Sequence, residues 1–335
     1  MKISEVRSTI DKYSEDQLRL IISELYKNIP KAVKEQKDID NLIKNPDNFT
    51  RPGSKTRQKE APDIEWLNYE TEQFVEDAYN QYYFAPNMFV PKKDRPKWRF
   101  LVKRLYKDLL AAASADKDDV PEAARLLEKL YRLLCYSCSY ILFSAYDPFQ
   151  SVGVQQEEFF RRVLALKYDC EDKNTFIKNA LLLMVNNSHS RDTVSEDLMD
   201  VMLEFTKTPD LREMAIATCS ELIESIKRQP LRKKERWYEY EREHKLNDLT
   251  KMGFLCYTRL YDYPKAISYF KANYSESDRE VALYALLRML WALNQKDYFL
   301  QEYEKAIENG VAPREILKKA YRFTKENGEL PRTLW

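Results

Sequence analysis

Hydrophobic residues recur every three or four positions along almost the whole chain, which is the spacing of one face of an α-helix. The stretch 18–29 shows this clearly, because Leu18, Ile21, Ile22, Leu25 and Ile29 fall on a single face. No stretch of convincing length alternates apolar and polar residues with the period of two that a β-strand requires. The pattern predicts an all-α fold in which an N-terminal helical domain is followed by a short, α-solenoid-like array of helical hairpins.

Capping boxes mark several helix starts. In this motif a serine or threonine and a glutamate or glutamine three positions later each bind a free backbone N–H of the first turn. Each such pair predicts the residue at which a helix begins. Three pairs have this spacing: Ser14 with Gln17, Thr193 with Glu196, and Ser277 with Glu280.

The rhythm of the pattern divides the chain into two predicted domains. Residues 1–170 hold helices of varied length, whereas from about residue 171 to residue 335 the helical pattern becomes regular. Residues 45–62 differ from both, since they contain three prolines, a glycine and four cations but little to bury. We expect a helical domain over 1–170 with a mobile loop near 45–62, and a repeat-like domain over 171–335.

A weak internal repeat supports the predicted array. The dipeptide Asp-Tyr occurs at residues 262–263 and again 35 residues later, at 297–298. After the first copy, Ala266 and Phe270 have the spacing found in the second helix of a tetratricopeptide repeat, where a small residue lets the paired helix approach closely. Residues 255–327 therefore weakly resemble tetratricopeptide repeats, although the second copy lacks the matching alanine and phenylalanine.

Charge and glycine content exclude several functional classes. The 335 residues hold 55 Lys and Arg against 54 Asp and Glu, a net charge of +1. No chain-wide field is therefore available to attract nucleic acid or a membrane. The chain has five glycines, too few for the glycine-rich loops that cradle phosphate groups.

The sequence also indicates a location. Its N-terminus lacks the apolar segment of a secretory signal. The longest apolar stretch, residues 133–145, is shorter than the ~20 residues that a spanning helix needs. Five cysteines form no disulfide framework, which fits a reducing interior. We expect a soluble, cytoplasmic protein with no membrane partner.

Neither the cysteines nor the histidines form a recognisable reaction centre. Cys135 and Cys138 have the spacing of a zinc or redox pair, but no second ligand pair follows and both fall within an apolar helix. His189 stands in a loop beside Ser190 and Asp192, whereas His244 stands among charged residues on a helix face. Catalytic triads assemble from distant segments, so adjacency in sequence is poor evidence for one. We predict core cysteines, no catalytic residue, no metal and no cofactor.

Two basic tracts carry the alternative function. Residues 92–107 hold eight cations against one acid, and residues 227–236 hold six against one, with aromatic residues within or beside each. Cations with stackable rings can bind a nucleic acid strand. They can equally form the solvated side of amphipathic helices, since Trp98 is in helical register with leucine and valine. The residues that would contact nucleic acid are Lys97, Arg99, Arg104, Arg232, Lys233, Lys234 and Arg236.

The first half of the chain also resembles a known family. A Ser-x-x-Gln-Leu turn at 14–18, Glu-Leu-Tyr-Lys at 24–27, an aromatic and proline-rich connector at 84–97, and segments 140–143 and 157–160 carry the likeness. Over residues 1–167 the chain resembles an uncharacterised family of bacterial α-helical domains of unknown function. The longer loop near 45–62 and the whole C-terminal half depart from that family. The resemblance implies a compact helical domain and no particular activity.

These observations favour a non-enzymatic function. Arrays of helical hairpins commonly present a continuous surface that binds a protein or peptide. We therefore predict a protein-interaction or scaffolding module with a protein or peptide partner. The alternative is a nucleic-acid-associated protein that uses the two basic tracts, and an enzyme is the least favoured class.

Overall fold

The computed structural model describes Val6 and residues 9–46, 62–230 and 236–334. Helix makes up 74% of the structure, and the described residues contain sixteen α-helices and no strand. The predicted all-α class is therefore confirmed. Contacts divide the chain into two compact units, Met1–Ala61 and Pro62–Trp335.

The described part of the first unit contains three helices whose two ends are both defined. The predicted capping box at its first helix is confirmed, because the Ser14 N–H donates to Oε1 of Gln17 and the Gln17 N–H donates to Oγ of Ser14. The hydroxyl of Tyr26 donates to Asp40 at 2.7 Å and so joins the first helix to the third. The helices are α1 (Glu15–Asn28), α2 (Lys31–Lys37) and α3 (Ile39–Lys44).

The second unit begins with a bundle of helices, of which all but one have at least thirteen residues. Most neighbouring helices of the bundle pack directly on one another, and the longest, the third, contacts the two before it and the two after it. A short 3₁₀ turn, Arg95–Lys97, leads into the second of them. The helices are α4 (Ile64–Tyr79), α5 (Trp98–Ala115), α6 (Val120–Ser139), α7 (Pro148–Val152), α8 (Gln156–Cys170) and α9 (Lys173–Val185).

Helix continues to the end of the second unit. The longest helix, α12, packs along both its predecessor and its successor. The helices are α10 (Ser195–Phe205), α11 (Pro209–Arg228), α12 (Arg236–Arg259), α13 (Tyr263–Asn273), α14 (Arg279–Ala292), α15 (Lys296–Glu308) and α16 (Glu315–Asn327).

Two hydrophobic cores hold the second unit together. The larger runs from Leu67 to Cys256, and the smaller runs from Phe254 to Leu334. Because Phe254 and Cys256 both belong to α12, this helix contributes to both cores. The larger core includes residues on either side of position 170, and the domain boundary expected there stays a prediction.

Two of the predicted capping boxes are wrong by one residue. The helix after Thr193 is preceded by Val194, whose N–H donates to Asp197 at 2.8 Å, and the Thr193 hydroxyl donates instead to Glu157. The helix after Ser277 is capped by Asp278, which accepts the Glu280 N–H at 2.8 Å. Competing partners explain both shifts. The Glu157 carboxylate binds the Thr193 hydroxyl, so that this hydroxyl does not cap the helix, and Asp278 caps the later helix in place of Ser277.

The 35-residue period has a structural counterpart. The rings of Tyr263 and Tyr298, which stand at equivalent positions of the period, stack with centroids 5.3 Å apart. Ala266 and Phe270 are both buried, as a paired-helix interface requires. Membership of the tetratricopeptide repeats and a solenoid arrangement stay predictions.

Two further expectations concern the loop near 45–62 and membrane-spanning helices. The mobile loop expected near 45–62 lies outside the described residues, apart from its first two positions and Pro62. No helix in the described ranges is both long enough and apolar enough to cross a bilayer.

Candidate functional site

Both histidines of the chain line one cleft in the second unit. The cleft has a volume of about 590 Å³, within the ~300–1,000 Å³ range of ligand sites in proteins. It lies where the C-terminal ends of α4 and α6 meet the loop 186–194, the start of α10 and the first half of α12. The lining side chains are tyrosine, histidine, serine and asparagine for the most part. They include Tyr79, Tyr136, Tyr140, Ser188, His189, Ser195, Tyr240, His244 and Asp248.

A buried glutamine holds the loop that carries His189. Gln156 opens α8 and is fully buried. Its Nε2 donates to the carbonyl oxygen of Ser188 at 3.1 Å, and its Oε1 accepts the N–H of Ser190 at 2.6 Å. His189 therefore stands between two residues whose backbones are fixed by one side chain.

Asp147 is a second anchor for the same loop. Its Oδ2 accepts the hydroxyl of Ser190 at 2.8 Å and the N–H of Arg191 at 2.9 Å, while its Oδ1 accepts the Gln150 N–H at the start of α7. Burial raises the pKa of Asp147, but these donors outweigh burial and hold it below the usual value. The carboxylate is thus ionised at neutral pH and its loop contacts are charge-assisted.

Three half-exposed tyrosines form a ladder along one side of the cleft. Tyr79 meets Tyr136 edge to face with centroids 5.3 Å apart, and Tyr136 stacks on Tyr140 at 4.4 Å. Tyr136 and Tyr140 are one helical turn apart on the sequence, so the geometry of the end of α6 brings them together. The three rings give the cleft a fixed aromatic wall.

Helix α12 supplies a second set of groups. The ring of Tyr240 packs edge-on against His244 with centroids 4.2 Å apart. One turn further along, the buried carboxylate of Asp248 accepts the hydroxyl of Ser195 at 3.0 Å. Burial raises the pKa of Asp248 and lowers the pKa of His189, so both groups favour their neutral forms more than they would in water.

The four charged side chains that line the cleft all have partners. Arg132 pairs with Glu128 at 2.7 Å, and Lys245 pairs with Glu241 at 2.8 Å. Asp248 has Lys251 at 3.7 Å in addition to the Ser195 hydroxyl. The cleft therefore presents hydroxyl, imidazole, amide and aromatic groups, with its charges neutralised within the protein.

The first basic tract forms part of α5 and of the segment before it. Trp98 is buried and stacks on Phe143 with centroids 4.0 Å apart, so this ring belongs to the core. Lys97 pairs with Asp94 at 2.6 Å, Arg104 pairs with Glu70, and the Arg99 guanidinium lies 4.8 Å from the ring of Phe100.

The second basic tract lies largely outside the described residues. Arg232, Lys233 and Lys234 are among the residues that the structure does not describe. Arg236 begins α12, but its side chain is not described. Nucleic-acid contact by the two tracts stays the alternative prediction.

The predicted core cysteines lie on α6 as the spacing indicated. Cys135 is fully buried and its sulfur accepts from Nε2 of Gln156, whereas Cys138 is partly buried and donates to the Leu134 carbonyl. Burial raises the pKa of Cys138 to about 12, so its thiol is protonated at neutral pH. Within the described parts of the chain, no three His, Cys, Asp or Glu residues are grouped so as to hold a metal ion.

Comparison with known proteins adds no relative. No protein-family model matches the chain, and searches of curated proteins and of solved structures found no significant match. The resemblance of residues 1–167 to a bacterial helical family stays a prediction.

Proposed function

We propose that this chain is a protein-interaction module and that its cleft binds an extended, uncharged segment of a partner protein. The observation that carries the proposal is the fixed position of His189, held by Gln156 in a cleft that the tyrosine ladder walls. A site that is already formed loses little conformational entropy on binding, which favours recognition by a stable scaffold.

The lining chemistry favours a peptide over a charged ligand. Tyrosine offers apolar area with a polar tip and is enriched at protein interfaces. Its hydroxyl groups, together with the imidazoles of His189 and His244, can bond to the carbonyl oxygens of an extended chain. A phosphate or a carboxylate would need an unpaired cation, and Arg132 and Lys245 are both already paired.

The hydroxyl groups of the site favour binding over nucleophilic catalysis. A nucleophilic serine is commonly activated by a hydrogen bond to a histidine, which removes its proton. The hydroxyl of Ser190 donates to Asp147, and that of Ser195 donates to Asp248. Neither of these two hydroxyl groups donates to a histidine, so we assign the cleft to recognition.

Selection from a random peptide library displayed on phage tests the proposal. Full-length protein is the target, and selected peptides are then measured by fluorescence anisotropy. We expect uncharged peptides whose Kd rises at least about tenfold in the Tyr140→Ala variant, since an aromatic anchor is a common interface hot spot. Tyr261→Ala is the matched control, because Tyr261 is 84% exposed and does not line the cleft.

Two results would count against the cleft as a peptide site. One is a failure of the library to yield any peptide. The other is a set of peptides whose affinity is the same for wild type, Tyr140→Ala and Tyr261→Ala, which would place binding elsewhere on the surface.

A further inference from the structure

A loop outside the cleft presents large apolar side chains to solvent. It comprises residues 84–91, between α4 and the short 3₁₀ turn, and is called the apolar loop below. Met88 is 99% exposed and Phe89 is 72% exposed, and Phe84 is also exposed. Exposed apolar side chains grouped in this way mark interaction sites on proteins that are otherwise well folded.

One asparagine side chain fixes the backbone of the apolar loop. Nδ2 of Asn87 donates to the carbonyl oxygens of Tyr82 at 2.6 Å and of Ala85 at 2.8 Å. Its Oδ1 accepts the N–H groups of Phe89 at 2.9 Å and of Val90 at 2.7 Å. Four hydrogen bonds from one side chain therefore hold the residues on both sides of Met88.

Further contacts tie the loop to the folded unit. Nε of Arg95 donates to the carbonyl oxygen of Val90 at 3.1 Å, and the side chain of Val90 is buried. The ring of Phe89 stacks on Tyr82 with centroids 4.6 Å apart. The exposed tip is thus held in one conformation, and its residues give up little conformational freedom when they enter a partner.

Two lysines that follow the tip in the sequence place positive charge beside it. Lys92 and Lys93 are exposed, and neither forms an ion pair within the described ranges. The nearby Lys97 is neutralised by Asp94. An unpaired pair of lysines beside an apolar tip is complementary to an apolar socket with acidic residues on its rim.

We propose that the apolar loop docks into an acidic-rimmed apolar socket on a partner protein, with Met88 and Phe89 as the inserted side chains. This interaction goes beyond the peptide-binding cleft, because the cleft and the loop share no lining residue. Methionine suits the role, since its flexible thioether adapts to the shape of a socket. The lysines accelerate and orient the encounter, and the apolar pair supplies the contact area.

Site-specific photo-cross-linking identifies the partner. The full chain carries p-benzoylphenylalanine in place of Met88, or in place of Tyr261 as the control, and is irradiated in its host cells. We expect one protein adduct that forms from position 88 and not from position 261. The absence of any adduct at position 88 overturns the proposal.

Binding of the purified partner then tests the chemistry. We expect Met88→Asp to raise Kd at least about tenfold without lowering the stability of this chain, because the residue is fully exposed. Lys92→Glu with Lys93→Glu should slow association and reduce its dependence on salt. Asn87→Ala should weaken binding although every contacting side chain is retained, whereas Tyr140→Ala should leave it unchanged.

Other outcomes would replace this proposal. They are adducts to RNA, adducts to a second copy of this chain, or Met88-dependent binding to vesicles of phosphatidylserine and phosphatidylcholine. A captured protein that binds Met88→Asp as tightly as wild type also overturns it. None of these results bears on the cleft, whose peptides are selected and tested through Tyr140.

Discussion

The side-chain carbonyl of Gln156 accepts the backbone N–H of Ser190 at 2.6 Å, and it does so from a fully buried position. The same amide donates to Ser188, so the interior of the bundle determines where the intervening histidine stands. A hydrogen bond in a buried setting is electrostatically stronger than one in water, and losing one partner is correspondingly expensive. This contact links the stability of the second unit to the shape of its cleft.

Replacement of Gln156 by leucine should therefore affect both the stability of the second unit and the position of the loop that carries His189. Leucine fills similar volume but leaves the Ser190 N–H and the Ser188 carbonyl without their partner. We expect the free energy of unfolding, measured with urea, to fall by about 1–3 kcal/mol. Hydrogen exchange of the Ser190 amide should accelerate beyond what this global loss explains.

Gln155→Leu is the control for this prediction. Gln155 is the exposed neighbour of Gln156 and forms no side-chain cap bond, so its replacement should change stability by less than about 0.5 kcal/mol. Equal effects of the two substitutions would show that the loop does not depend on the buried amide.

The position of His189 should also make stability depend on pH. Burial lowers the pKa of His189, while Asp248 and Glu196 partly oppose burial and His244 adds to it. Below the unfolded value of about 6.5, the unfolded chain binds this proton before the folded chain does. The free energy of unfolding should therefore fall as the pH decreases from 6.5 through the lower folded pKa.

Urea unfolding at about pH 7.5 and about pH 5.5 checks the sign. His189→Gln should reduce the loss of stability between the two values, and one proton limits that difference to about 1.4 kcal/mol per pH unit. Asp248 acts in the opposite sense, because its raised pKa makes the folded chain hold a proton that the unfolded chain releases. An unchanged slope in the His189→Gln variant would contradict the prediction.

Sequence patterns predicted the fold class because each helix is a local structure. The spacing of the apolar residues predicts where a segment is helical, and the Ser14 capping box is formed by residues three positions apart. The same reasoning misplaced the helix start after Thr193, whose hydroxyl donates to Glu157, 36 residues away in the chain. A local rule fails where a tertiary partner competes for the side chain.

The cleft could not be predicted in this way. His189 lies in a loop and His244 lies on a helix, as the sequence pattern predicted. The sequence pattern did not show that the two line one cleft with Asp248, where the end of α6, the loop after α9 and helix α12 meet. Gln156 is flanked in the sequence by Gln155 and by Glu157 and Glu158, so nothing in this polar segment marked it as a buried anchor.

A buried ion-pair network offers a third prediction. The Lys167 side chain is 9% exposed and lies 2.8 Å from Glu128 and 2.6 Å from Glu171. Burial lowers the pKa of Lys167, but its bonds to these glutamates outweigh burial and raise it. Lys167→Met should lower the free energy of unfolding by about 3 kcal/mol, because it leaves two mostly buried carboxylates without their shared cation.

A second substitution separates this loss of charge from a loss of packing. Lys167→Met combined with Glu171→Gln should be more stable than Lys167→Met alone, because one unpaired carboxylate is removed. Urea denaturation of the two variants measures the difference, and equal stabilities would assign the effect to packing.

The last prediction concerns Gly253, which lies within α12. A Cβ at this position would approach the ring of Tyr269, on α13, to well under 3.0 Å. Glycine in a helix interior costs about 1 kcal/mol relative to alanine, so helix propensity alone predicts that Gly253→Ala stabilises the protein. We expect the opposite, a loss of about 1–3 kcal/mol in the free energy of unfolding, because the Tyr269 ring packs against the larger core and against Tyr257 and would have to be displaced from both. Combining Gly253→Ala with Tyr269→Leu tests the cause. If the ring is the obstacle, the two substitutions should be less destabilising together than the sum of their separate effects in urea denaturation. Strict additivity would mean that α12 and α13 are not kept close by this glycine.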